Sequence, residues 1–265
     1  MGMTQLIVLA IVQGLTEFLP ISSSGHLVLV PSVFGWTDQG LAFDVAVHFG
    51  SLLAVCVFFR YDIAALLRGV RRILGGDFGA DSARMAWCLG LGTIPAALAG
   101  LLFAGWIAAN LRDPMVVVAT LSGYGILMAL VDRLAPAARN ITDIGIREAM
   151  IIGCAQALAL IPGTSRSGVT ITVGRMLGFA RQDAARFSFL LSAPVILLAT
   201  LYEAVNLATA EQSVAWGGLS LAIMISAVVA YISIEFFMRV VNAIGLLPFA
   251  IYRLALAGVL LLVLY

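Results

Sequence analysis

Apolar residues in this 265-residue chain run together in long blocks, and polar residues gather between the blocks. A helix that spans a bilayer needs about 20 apolar residues, with 17 as a lower bound. Six blocks reach that range: residues 43–59, 85–108, 115–131, 187–207, 216–237 and 246–264. Two further stretches are apolar but broken. In residues 1–40, Gln13 and Glu17 lie one helical turn apart on one face, Pro20-Ile21-Ser22-Ser23-Ser24-Gly25-His26 interrupts the helix, and residues 27–34 are too short to cross. Residues 148–178 have the same build around Pro162-Gly163-Thr164-Ser165-Arg166-Ser167-Gly168-Val169-Thr170. Non-helical backbone at membrane depth is tolerated only where protein or a wet cavity surrounds it, so both stretches are predicted to be re-entrant helical hairpins.

The pattern predicts an all-α polytopic membrane protein, with six transmembrane helices and two re-entrant hairpins in a single integral membrane domain over residues 1–265. Composition excludes the soluble alternative. With 62% apolar residues, 11% charged residues and a mean hydropathy of +1.07, a soluble globule would carry one continuous apolar surface. The net charge of +1 makes no case for nucleic acid. The basic residues are all arginine, so no lysine is present for Schiff-base or P-loop chemistry. Cys56, Cys88 and Cys154 lie in apolar runs without metal-type spacing and are predicted to pack in the core. Gln13, Glu17 and the serine cluster, with no basic region ahead of them, argue against a cleaved signal peptide.

The arginines orient the chain. Arg60, Arg68, Arg71, Arg72 and Arg84 fall in a partly amphipathic connection suited to a membrane surface. Arg133, Arg139, Arg147, Arg175, Arg181, Arg186 and Arg239 fall on that same side, cytoplasmic by the positive-inside bias, and only Arg112 falls in the outer connections. The first hairpin then enters from outside and the second from inside. At a constant offset of 143 residues, Gln13 meets Gln156, Ser22 meets Ser165, Ser24 meets Ser167, Gly25 meets Gly168 and Gly35-Trp36 meets Gly178-Phe179. This predicts an inverted repeat, approximately residues 1–134 and 143–265, whose broken tips converge near the midplane.

Convergence would set Gln13, Glu17, Ser22, Ser23, Ser24 and His26 across one cavity from Gly163, Ser165, Arg166, Ser167, Gly168 and Thr170. An arginine among apolar segments is costly unless it is paired or lines water. Hydroxyls and glycine-permitted runs of N–H groups around it make an anion cradle, which suits phosphate. The set contains a base, a hydroxyl nucleophile, an imidazole and a guanidinium, the roles of a phosphoryl-transfer site. Ser22, Ser24, Ser167 and Thr170 also suit helix capping. His48, Glu203, Glu235 and Arg253 lie in or near spans and are read as inter-helix polar contacts, while Trp36, Trp106 and Trp216 are placed for an aromatic belt.

Gln13-Gly14-Leu15-Thr16-Glu17-Phe18-Leu19-Pro20 with Ser22-Ser23-Ser24-Gly25-His26, and the run Pro162 to Thr170, resemble the motifs of the undecaprenyl-diphosphate phosphatase family, also known for bacitracin resistance. The resemblance extends over nearly the whole chain. It implies hydrolysis of undecaprenyl diphosphate to undecaprenyl phosphate and inorganic phosphate, which recycles the carrier for cell-wall synthesis. It also implies a bacterial plasma-membrane location and an active site open to the extracytoplasmic side. On this reading the catalytic residues are Glu17, Ser23, His26 and Arg166. Substrate is held by Gln13, Ser22, Ser24, Gly163, Ser165, Ser167, Gly168 and Thr170. Family members need Mg²⁺ or Ca²⁺, for which Glu17 is the candidate ligand. Gln13 stands where many members carry Glu, which removes one candidate carboxylate. Ser23 and His26 both remain candidates for the attack on phosphorus, with Ser23 favoured and Glu17 or His26 as its base. Expected partners are the isoprenoid diphosphate lipid and membrane lipids, with no nucleic acid and with a homodimer left open. The competing class is a lipid-carrier flippase or other transporter, since carriers are also built on inverted repeats. A second lipid-phosphatase superfamily is disfavoured, because its lysine and downstream His-x-x-x-Asp have no counterpart here.

Overall fold

A computed structural model of the chain describes residues 1–111, 113–209 and 216–264. Among these, α1 (Met3–Thr16) and α2 (Ser23–Phe34) form the first broken stretch. They are followed by α3 (Leu41–Phe58), α4 (Arg60–Leu74), α5 (Asp81–Asn110) and α6 (Pro114–Leu134). The second broken stretch is α7 (Ile146–Ala157) and α8 (Arg166–Met176), and α9 (Arg181–Thr209), α10 (Trp216–Ile244) and α11 (Leu247–Leu264) follow. The described residues contain no named strand. Arg112, the one arginine expected in an outer connection, lies outside them.

Five of the helices, α3, α5, α6, α9 and α10, are long and apolar enough to cross a membrane, and α11 is an apolar helix of 18 residues. Several helices outrun the apolar blocks that predict them. Helix α5 starts at Asp81 and α9 at Arg181, each with an aspartate in its first turn, where the helix dipole favours negative charge. Such turns are helical without adding apolar length, so hydropathy alone misses them.

Helix α1 packs on α10 and α7 packs on α5, while α3 lies against both α9 and α10, and α6 lies against α11. The α5–α7 crossing is close enough to demand a glycine, since a Cβ on Gly153 would sit 2.2 Å from the Gly92 carbonyl oxygen. Beneath the first break a chain of ring contacts carries the core inward. Phe18 meets Phe189 at 5.3 Å between centroids, Phe189 meets Phe237 at 5.7 Å, and Phe237 meets Phe249 at 5.2 Å. Edge-on and tilted pairs of this kind add to the area they bury, so Phe18, next to Glu17, is held firmly.

The arginine-rich end is closed by ion pairs. Asp132 accepts from Arg181 at 2.7 Å, lies 3.4 Å from Arg175 and accepts from the Leu246 N–H at 2.9 Å. Arg175, assigned from the sequence to the cytoplasmic side at the end of the second broken stretch, is 2% exposed in the last turn of α8, where it also donates to the Ala135 and Phe179 carbonyls. Asp62 pairs with Arg186 and Glu148 with Arg139. The hydrogen bond from Arg139, above all, holds the Glu148 carboxyl below the usual carboxylate range. Helix α4 is amphipathic, with Ile63 and Leu66 against the core, and Leu67, Val70 and Leu74 outward among exposed arginines. Glu235 pairs with Arg239 of its own helix rather than across helices, and Cys154 is exposed while Cys88 is buried.

Candidate active site

The two breaks share one backbone device. Ser22 (φ 74°) and Ser165 (φ 69°) are the non-glycine residues with positive φ among those described. Such conformations cost of order 1–3 kcal/mol and persist only where the surroundings enforce them. Each serine offsets part of that cost as the N-cap of the next helix. Ser22 Oγ accepts from the Gly25 N–H at 3.4 Å, and Ser165 Oγ accepts from the Gly168 N–H at 3.1 Å. Ser24 and Ser167 each lie 3.3 Å from their cap's hydroxyl.

The residue after each cap is therefore the first of its helix, Ser23 in α2 and Arg166 in α8, and both reach the same carboxylate. Ser23 Oγ donates to Glu17 Oε2 at 2.8 Å, Arg166 Nη2 donates to Glu17 Oε1 at 2.9 Å, and Gln13 Nε2 donates to Glu17 Oε2 at 3.0 Å. All four residues come from the sequence-predicted set, and Glu17 itself is 8% exposed. A buried ion pair of this kind is costly to break from one side, at about 3–5 kcal/mol. The first residues of both helices meet at Glu17, and a helix N-terminus favours negative charge beside it.

The other predicted residues build this arrangement rather than face Glu17. Ser167 Oγ donates to the Leu19 carbonyl at 3.0 Å and ties the second tip to the first. Thr170 Oγ1 donates to the Arg166 carbonyl at 2.7 Å and lies 2.6 Å from Ser188 Oγ, behind the guanidinium. Gly163, at φ 84°, leaves no room for a side chain, because a Cβ would lie 2.3 Å from Thr120 Oγ1. Thr120 instead donates to the Pro162 carbonyl at 2.7 Å. Ser24 is exposed at the start of α2. His26 is buried but outside the Glu17 cluster. Its Nδ1–H donates to the Ser22 carbonyl at 2.7 Å, and Nε2 accepts from the Tyr252 hydroxyl at 2.7 Å, with the two rings stacked.

Two residues read from the sequence as inter-helix polar contacts do more than that and hold the site. Arg253 of α11 is 1% exposed and donates to backbone carbonyls of α6 and of both tips. These are Pro20 at 3.4 Å, Gly163 at 3.0 Å, Thr120 at 3.2 Å and Leu121 at 3.2 Å, so the guanidinium clasps both tips to α6. His48 of α3 brings Nε2 within 3.8 Å of Glu17 Oε2 while Nδ1–H donates to the Asp44 carbonyl at 2.7 Å. A sequence signal for His48 does exist: Asp44 and His48 stand one helical turn apart on an otherwise apolar span.

Glu17, Arg166, Gln156 and His48 line a cavity of about 340 Å³, and Leu41, Val45, Leu160 and Ile196 supply much of its apolar wall. Asp44 and Glu203 line it as well. Among the described residues no three His, Cys, Asp or Glu side chains cluster as a metal cage. The donor set instead suits a hard cation shared with a bound anion, because Mg²⁺ commonly takes one or two carboxylates together with phosphate oxygens and water.

Fold and site together define a polytopic membrane protein in which two broken stretches bring a hydroxyl and a guanidinium to one acid beside a largely apolar cavity. The chain belongs to the family described as bacitracin resistance protein BacA, whose model matches residues 6–259. It is 52% identical over 262 residues to an undecaprenyl-diphosphatase of Hahella chejuensis, covering 98% of each chain. It is 51% identical over 263 residues to one of Teredinibacter turnerae, covering 99% of each, and 50% identical over 264 residues to undecaprenyl-diphosphatase 2 of Stutzerimonas stutzeri, covering 98% of each.

Proposed function

We propose that this chain hydrolyses undecaprenyl diphosphate to undecaprenyl phosphate and inorganic phosphate in a bacterial plasma membrane, and so contributes to bacitracin resistance. The observation that carries the reading is the meeting of Ser23 and Arg166 on the Glu17 carboxylate, at the edge of a cavity that Glu17 and Arg166 line and whose walls are aliphatic. A polar floor suits the diphosphate, and the walls suit the start of an isoprenoid tail. Arg166 binds phosphoryl oxygens by charge-assisted hydrogen bonds, helped by the N–H groups at the start of α2 and α8. As Arg166 turns to the substrate, Glu17 loses its counter-charge and becomes a stronger base.

Ser23 Oγ then attacks the terminal phosphorus and passes its proton to Glu17, while the bond to the bridging oxygen breaks and the lipid monophosphate departs with that proton. Water attacks the phosphoserine next. Its proton returns to Ser23 Oγ by way of Glu17, and inorganic phosphate is released. His26, with both nitrogens engaged by Ser22 and Tyr252, positions the turn that presents Ser23. A divalent cation, Mg²⁺ or Ca²⁺, would be held by Glu17 with substrate oxygens and would offset charge on the diphosphate.

The finer topology belongs to the same proposal: α3, α5, α6, α9, α10 and α11 cross, and the α1–α2 and α7–α8 hairpins enter from opposite sides as inverted repeats of approximately residues 1–134 and 143–265, a reading that the five long apolar helices and the two broken stretches support. The cavity is lined by the first turns of α3 and the later turns of α9, away from the arginine-rich end, which supports an opening on the extracytoplasmic side. Exposed Trp106 and Trp216 lie at that same end. The test is phosphate release by detergent-purified protein given undecaprenyl diphosphate. Wild type should release phosphate, and Ser23→Ala and Glu17→Gln should each slow release at least about a hundredfold. Variants that keep full release while lipid flux across vesicles is lost would favour a carrier.

A further inference from the structure

Gln156 is 2% exposed and lines the cavity that holds Glu17 and Arg166, yet neither its Nε2 nor its Oε1 has a hydrogen-bond partner. A buried primary amide left wholly unpaired is costly and calls for an explanation. Its counterpart across the 143-residue offset supplies one. Gln13 has Glu17 one turn further along its helix and donates Nε2 to it at 3.0 Å. One turn after Gln156 stands Leu160, so the second tip has no carboxylate for this amide to serve. From α9, Thr200 presents another unpaired hydroxyl oxygen to the same cavity.

We propose that Gln156 is a substrate-binding residue for the diphosphate head group. Nε2–H donates to a terminal phosphoryl oxygen while Arg166 holds the same group, and Oε1 accepts from a protonated phosphoryl oxygen or from the entering water. An amide offers a donor and an acceptor side by side without adding charge to the cavity that holds Glu17. Thr200 Oγ1 supports the same oxygens from the opposite wall. The proposal rests on the phosphatase reading and extends it to a residue outside the motifs.

The test uses full-length protein in detergent, wild type beside Gln156→Met, Gln156→Asn and Thr200→Val. Three quantities are measured: phosphate release against undecaprenyl diphosphate concentration, inhibition by inorganic pyrophosphate as a head-group probe, and the midpoint of thermal unfolding. Gln156→Met removes two orphaned polar atoms at similar volume. It should raise KM and the pyrophosphate inhibition constant about tenfold or more, lower kcat less, and leave the midpoint equal or higher. Gln156→Asn keeps the amide one methylene short and should fall between. Thr200→Val should raise KM a few-fold. Unchanged KM and unchanged pyrophosphate inhibition in Gln156→Met would overturn the proposal, as would a lowered midpoint with KM unchanged. Should Gln156→Met not fold, unchanged constants in Gln156→Asn overturn it equally. Wild type that releases no phosphate would instead sink the phosphatase reading, which keeps the two failures apart.

Discussion

The first break, at residues 17–22, and the second, at residues 158–165, share a capping device and differ in chemistry. Both turn on a serine with positive φ that caps the next helix, and both bring the following residue to the Glu17 carboxylate. In the first tip that residue is Ser23, a neutral hydroxyl, and in the second it is Arg166, a permanent cation. One turn before each break the first tip adds Glu17 to Gln13, whereas the second leaves Gln156 alone. On the proposed function, one capping device serves a reacting half and a binding half, because the side chains at matched positions differ.

The comparison breaks most sharply at Arg166. Arg166→Ser makes the second tip imitate the first, and phosphate release should fall by about 10²–10³-fold, as for loss of a main charge-stabilising donor. A variant that keeps more than a tenth of wild-type release would show that the difference between the tips does not matter. The next effect comes from what holds the tips together. Arg253→Met leaves the Pro20 and Gly163 carbonyls without their shared donor and should cost roughly 2–4 kcal/mol, read as a lowered unfolding midpoint together with slower release.

The backbone likeness itself is tested at the caps. Ser22→Ala and Ser165→Ala keep the strained φ and lose the cap, so each should cost about 1–2 kcal/mol. Ser22→Gly and Ser165→Gly should lie within about 1 kcal/mol of wild type, because glycine adopts the conformation freely. Unequal responses at the two positions would show that the matching geometry is not matched in energy. The smallest effect lies at the foot of the second hairpin. Glu148 has a lowered carboxyl pKa, so its pairing with Arg139 contributes fully at neutral pH and is lost as pH falls through the native value. Glu148→Gln should flatten the acid decline of the unfolding midpoint, by about 0.5 kcal/mol or less for so exposed a pair.

Much of this was legible in the residues. Spans show as apolar length, the breaks show as proline, serine and glycine inside apolar runs, and the Glu17–Arg166 meeting follows from the offset between the halves. Partners that depend on packing across distant segments did not show. Arg253 bonds only to backbone carbonyls, and every residue carries a carbonyl, so no residue type marks its partners. Tyr252 reaches His26 across 226 residues, and the strain at Ser22 and Ser165 falls where a glycine would have announced it. Arg175 reads only as a marker of the cytoplasmic side until Asp132 is placed beside it.

The clasp made by Arg253 bears on biosynthesis. Pro20 leaves the ribosome early and Gly163 much later, yet the guanidinium that joins them belongs to α11 and emerges after both. Until that last segment threads into place, newly inserted polypeptide holds its two polar bends by the Ser167–Leu19 and Thr120–Pro162 bonds and the Glu17–Arg166 pair. Full tightening of the bends is therefore a late assembly event that waits on α11.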